Sequence, residues 1–273
     1  MRLGMVLPAV EPDGGPLTST GLSDGARRLE RHGFASVWAF DAIGRGFMLP
    51  DPLIAVSVAA TVTSTVEVGT CILQVPLRRP VELAHRVATA RLVCGGRLLL
   101  GVGAGSTEAD FAAVGVDHAT RLRALGDALP VMRALWQGET VGAARLTPWP
   151  ATLGGPPVLI GSWAGGVWIE RAARDYDGWI ASAAKTSFSQ LEEGLRRFRA
   201  LGGGRAIVTN LEVDLSAPPA PSDGDGPFTL RCPPEEAAAR LERLADLGFD
   251  DAVLFSLDHR DASLAALRAL LPA

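Results

Sequence analysis

Lysine is almost missing from this chain of 273 residues: of 26 basic residues 25 are Arg, and the one Lys is Lys185. Cysteine is scarce as well. Cys71, Cys94 and Cys232 are odd in number, widely spaced and form no CxxC pair. That fits a reducing compartment and speaks against a disulfide framework or a zinc site. The four histidines (His32, His85, His118, His259) show no HExxH or HxH spacing, and none is read at a strand end, so no metal ligand set is expected. No apolar run approaches the roughly 20 residues of a membrane span, and the start MRLGMVLPAVEP lacks the charged and apolar regions of a signal peptide. The expected setting is the cytoplasm, with no membrane partner. A net charge of −4 leaves no basic excess, so no nucleic-acid partner is expected. Neither a Walker loop nor a GxSxG elbow is present.

What is there is a chain rich enough in apolar residues, 48%, to bury a sizeable core. Eight short apolar runs read as strands, at 3–7, 35–40, 66–73, 98–102, 157–160, 178–181, 206–215 and 252–257. Several are near-continuous, as in parallel strands covered on both faces. Helical spacing separates them: Leu83, Val87, Ala90 and Cys94, then Leu122, Leu125, Leu129, Met132 and Trp136. Leu191, Leu195 and Phe198, and Ala237, Leu241 and Leu244, keep the same rhythm. Ser23 and Asp51 stand where N-caps would, with Pro52 at a first-turn position. Eight β/α alternations in this length predict an α/β fold, a (β/α)8 TIM barrel forming one domain over residues 1–273. A doubly wound sheet would usually carry a phosphate fingerprint after its first strand, where this chain has Pro8-Ala9-Val10-Glu11-Pro12. The Pro-, Gly-, Ser- and Asp-rich stretch 217–233 reads as a long flexible loop.

In such a barrel chemistry sits at the C-terminal strand ends. Asp41 follows the second strand, and Cys71 and Ile72 lie in the third. The run GVGAGS at 101–106 ends the fourth. It has Ser106 where a dinucleotide fingerprint needs Gly, so Gly103 and Gly105 indicate either a tight turn or close backbone approach to a ligand. Gly161, Ser162 and Gly165 lie in a loop that opens a helix, a place suited to a phosphate. Ser182 and Lys185 follow the sixth strand. Trp38, Trp163, Trp168 and Trp179 cluster near strand ends and read as core more than as pocket lining.

Taken together, GFASVWAFDA, DPLIAVSVAATVTSTVEVGTCILQVPLRRPVELA, GGRLLLGVGAGS, PPVLIGSWAGG with DYDGWIAS, and PPEEAAARLERLADLGFDDAVLF resemble the luciferase-like family of flavin- and deazaflavin-dependent oxidoreductases, in the family's order. The resemblance implies a barrel with the cofactor at the strand C-termini. It implies a cis peptide at Cys71–Ile72 behind the cofactor ring, a phosphate loop at Gly161 and Ser162, and Asp41 at the edge of the cofactor site. The stretch DGWIASAAK is similar to the deazaflavin (coenzyme F-420) branch, where residues at the places of Ser182 and Lys185 approach the cofactor phosphate. The chain departs from the branch at Ala42, where related alcohol and sugar dehydrogenases carry His, and at Ser106, where they carry Glu. Ala104 replaces a basic residue found in some flavin monooxygenases.

The resemblance implies first an oxidoreductase that exchanges a hydride between reduced F-420 and a small organic substrate. Two alternatives stand beside it. One is an FMN-dependent monooxygenase served by a separate flavin reductase. The other is a ligand-binding barrel without catalysis, which the missing acid/base groups motivate. It also implies a homodimer. No catalytic residue is assigned.

Overall fold

The computed structural model describes residues 1–221 and 224–271. Its strands are β1 (Arg2–Val6), β2 (Ser36–Ala39), β3 (Glu67–Thr70), β4 (Leu73–Gln74), β5 (Leu98–Gly103), β6 (Thr140–Val141), β7 (Ala144–Arg145), β8 (Val158–Gly161), β9 (Gly178–Ser182), β10 (Arg205–Asp214), β11 (Leu230–Arg231) and β12 (Asp251–Phe255). Its helices are α1 (Gly21–Arg31), α2 (Pro52–Val62), α3 (Pro80–Cys94), α4 (Glu108–Val114), α5 (Arg121–Trp136), α6 (Trp168–Asp175), α7 (Phe188–Ala200), α8 (Pro234–Leu247) and α9 (Asp261–Arg268).

Parallel pairing runs β1–β2–β3–β5–β8–β9–β10–β12, and β12 pairs back onto β1, which closes an eight-stranded barrel. The strands fall where the eight apolar runs predict them. β5 shows the reason: all of LLLGVG is buried, with the barrel lumen on one face and the helices on the other. Val6, Trp38, Cys71, Leu99, Leu159, Ile180, Ile207 and Val253, each from a different barrel strand or its end, fill the lumen. The larger cluster between sheet and helices includes Trp136, Trp168 and Trp179. Trp38 and Trp179 are therefore core, as read from the sequence, while Trp168 is buried in this cluster and also lines the cavity described below.

The N-terminal mouth is closed by charge. Arg205 donates to both Glu67 (2.9 Å) and Asp251 (2.8 Å), and Arg2 reaches the same two carboxylates. Burial works against the Arg205 cation, but bonds from Glu67 and Asp251 outweigh it and push its pKa up.

Three sequence expectations change. Ser23 is not a cap; it lies inside α1, which Thr20 precedes, and its hydroxyl donates to the Thr20 carbonyl. Asp51 does cap α2, accepting from the Leu53 and Ile54 amides. The third run is not one strand: β3 and β4 flank a cis Cys71–Ile72 peptide, at the place the resemblance implies. The stretch 217–233 is not loop throughout. Ser222 and Asp223 lie outside the described residues, but β11 pairs with β10, and Phe228, Leu230 and Cys232 are buried. Buried Arg240 holds the segment by donating to the Thr229 carbonyl at 2.7 Å and to that of Ala220. Apolar residues scattered among turn formers explain both the misreading and the anchoring. No helix among the described residues is long and apolar enough to cross a membrane.

Candidate functional site

A cavity of about 950 Å³ opens at the C-terminal end of the barrel. Every site residue read from the sequence lines it: Asp41, Cys71, Ile72, Gly103, Gly105, Ser106, Gly161, Ser162, Gly165, Ser182 and Lys185. The strand ends bring them together although up to 144 positions separate them in sequence, from 41 to 185. The Ile72 side chain lies between β5 and β8. A Cβ at Gly103 would meet it at 2.9 Å, and one at Gly161 would press on its Cγ2. Those two glycines belong to the strands themselves, while Gly105, at φ +77°, makes the turn beyond β5.

One wall is a buried lattice of charge. Asp41 receives Arg78 on both oxygens, at 2.5 and 2.9 Å, and the Gln74 amide at 2.8 Å. Arg45 grips Asp110 in the same two-pronged way. Burial pushes the Asp110 carboxyl up, but bonds from Arg45, Gln74 and the Ile43 amide hold it below its ordinary range. The Gln74 side chain ties the two pairs: Nε2 donates to the Asp41 carbonyl and to Asp110, both at 2.9 Å. Two acceptors fix the amide's orientation and leave its Oε1 buried without a donor among the described residues. Sequence reasoning found Asp41 and missed Arg78, Gln74 and Asp110, since no local spacing links residues so far apart.

The wall across the barrel carries unpaired positive charge. Lys185 ends a 3-10 turn (Ala183–Lys185) after β9, with its Nζ 5.8 Å from the Trp163 ring centroid. No carboxylate among the described residues pairs with it. Beside it runs the loop 161–166. The Trp179 indole donates to the Ser162 carbonyl at 2.9 Å and fixes the loop's base, while the Trp163 and Gly165 amides make no hydrogen bond among the described residues. Trp163 is half exposed and lines the cavity, against the core reading. Asn210, unmarked in the sequence reading, interrupts β10 at φ +57° and donates to the Ser182 hydroxyl at 3.1 Å.

Groups for proton transfer are few. Ala42, Ala104 and Ser106 line the cavity and bring no acid, base or cation to it. Burial pushes the Cys71 thiol up, which leaves it a poor nucleophile. One histidine does fall just past a strand end, contrary to the sequence reading: His259 follows β12. It is buried outside the cavity lining, and burial lowers its pKa to about 4.

A sequence profile described as luciferase-like monooxygenase matches residues 1–225. The 4-hydroxyprotoasukamycin monooxygenase of Streptomyces nodosus subsp. asukaensis is 30% identical over 125 residues, 45% of this chain and 33% of that protein. The F420-dependent glucose-6-phosphate dehydrogenase of Segniliparus rotundus is 30% identical over 216 residues, 70% of this chain and 63% of that protein. The match thus spans less than two thirds of either relative's length. Among solved structures, the monooxygenase RslO1 from Streptomyces bottropensis superposes with a TM-score of 0.74 at 17% identity, over 99% of this chain and 97% of that one, a likeness of fold. With the profile matching well over half of its length, the chain belongs to the luciferase-like monooxygenase family of oxidoreductases.

Proposed function

We propose that this protein binds coenzyme F-420 in the barrel-mouth cavity and transfers a hydride between the coenzyme and a small organic substrate. The observation that carries the reading is Lys185, the chain's one lysine, unpaired and facing the cavity beside the 161–166 loop. The residues present suit the coenzyme's phosphate. Lys185 offers charge, Ser162 and Ser182 offer hydroxyls, and the Trp163 and Gly165 amides are unused donors near the start of α6. Arg121, at the start of α5, adds a second cavity cation without a carboxylate partner among the described residues. Two such cations suit a coenzyme that carries a phosphodiester and an acidic tail better than one with a single terminal phosphate.

The coenzyme would supply the hydride chemistry; the chain supplies position and exclusion of water. Ile72, between two strand-end glycines, offers an apolar backing for a flat ring. The paired charges of Asp41–Arg78 and Asp110–Arg45 hold the β2, β3 and β5 loops that wall the site. A second reading, FMN-dependent oxygenation, draws on Ala42 and Ser106, since it needs neither missing acid/base group.

Titration of the purified protein with F-420 and with FMN, followed by fluorescence, separates the two. F-420 binding with turnover is expected. Tight FMN binding with no F-420 response would overturn the first reading in favour of the second.

A further inference from the structure

Only four charged side chains line the barrel-mouth cavity among the described residues: Asp41, Arg45, Arg121 and Lys185. Asp41 is neutralised by Arg78 and Arg45 by Asp110. The remaining two lie on one side of the barrel. Lys185 follows β9, and Arg121 opens α5, whose next turn packs on α6: a Cβ at Gly126 would meet Arg171 at 3.3 Å and Trp168 at 3.8 Å. The opposite side, where β12, β1 and β2 end, has no unpaired charge among the described residues. It is lined by Val10, Leu22, Phe40, Phe47, Met48 and Leu257. Phe40 and Phe255 meet edge to face across β1, ring centroids 5.3 Å apart, and form the floor of this half. Phe47, Met48 and Leu257 are 57%, 86% and 61% exposed and form its rim. Large apolar side chains left this open to water at a cavity mouth mark a place where apolar surface is to be covered.

We infer that the β12–β1–β2 half of the cavity takes an uncharged, chiefly apolar substrate, held lengthwise between the Phe40–Phe255 floor and the Met48 rim. The inference rests on reading the cavity as the reaction site. It excludes phosphorylated sugars and carboxylates from this half, because the one cation there, Arg45, is held by Asp110 and a buried anion would find no free partner among the described residues. It also assigns the two halves separate duties: the charged side anchors the coenzyme and the apolar side selects the substrate. A long flexible chain gains affinity here through each methylene removed from water.

The test uses the full-length protein and a neutral fluorescent dye, Nile red, displaced by n-hexanol, n-octanol, n-decanol and glucose 6-phosphate. Each added methylene is expected to tighten binding about three- to fourfold, the factor for burying one CH2. Glucose 6-phosphate is expected not to displace the dye. Met48→Asp and Leu257→Asp change exposed residues, so folding is spared, and each is expected to flatten the chain-length dependence. A dependence near unity in the wild type, or displacement by glucose 6-phosphate as strong as by decanol, would overturn the inference. Parallel F-420 titration keeps the two claims apart. A chain-length dependence without F-420 binding removes the cofactor reading and leaves the ligand class standing. F-420 binding with a flat dependence removes the ligand class alone.

Discussion

Arg78 holds both carboxylate oxygens of Asp41, and the two side chains are 8% and 2% exposed. Asp41 is thus a strut of the cavity wall before it is anything to a ligand. Removing the cation leaves a buried carboxylate without a partner, so Arg78→Ala is expected to cost about 3–5 kcal/mol. Urea unfolding measures this directly. The double variant Arg78→Met/Asp41→Asn, which removes both charges, should recover much of the loss; no recovery would mean that packing, not charge, explains the effect.

A similar ion network closes the other end of the barrel, where Asp251 serves Arg2 and Arg205. Conserving the cavity while weakening that end separates stability from ligand binding. Asp251→Ala should lower the unfolding free energy by about 3 kcal/mol, the lower end of the range for breaking a buried pair. The dissociation constant for F-420 should stay within twofold. A tenfold change in affinity would show that the two ends are coupled.

His259 predicts a pH dependence. It is buried, its Nδ1 has no partner among the described residues, and burial lowers its pKa from 6.5 to about 4, with the Arg28 cation also lowering it and the Ser256 carbonyl and Asp258 opposing. Above pH 6.5 the ring is neutral folded and unfolded, so it contributes nothing to the slope. As pH falls below 6.5 the unfolded chain takes up the proton first and folding loses ground, by about 3 kcal/mol once pH reaches 4. Unfolding curves between pH 7 and 4.5 should show this decline, and His259→Leu should flatten it. An equal decline in the variant would assign it to other groups.

The barrel was readable because parallel strands buried on both faces leave unbroken apolar runs, as at 98–102, and because helices between them repeat every three or four positions. The place of Lys185 and Gly161 in the cavity lining was readable because the fold itself puts strand C-termini there. The partners were not. Arg78 reaches Asp41 across 37 residues through a turn and a cis peptide, and nothing in local spacing marks it. Ser23 lost its cap role to a helix that starts earlier, at Gly21. Asn210 carries one sequence signal, a residue that tolerates positive φ inside an otherwise apolar strand. In 217–233 composition pointed to loop, while three buried side chains and Arg240 decided otherwise.

In the function proposed above, Lys185 anchors the coenzyme. The measurement that tests this most directly is the dissociation constant for F-420 in the wild type and in Lys185→Ala, with FMN as the comparison and Lys185→Arg as a charge-conserving control. Loss of a charge-assisted bond to phosphate is worth about 1–3 kcal/mol, or roughly five- to 150-fold in affinity. That loss is expected for Lys185→Ala, with partial retention in Lys185→Arg and unchanged urea stability. An F-420 affinity that is the same in wild type and Lys185→Ala would contradict it.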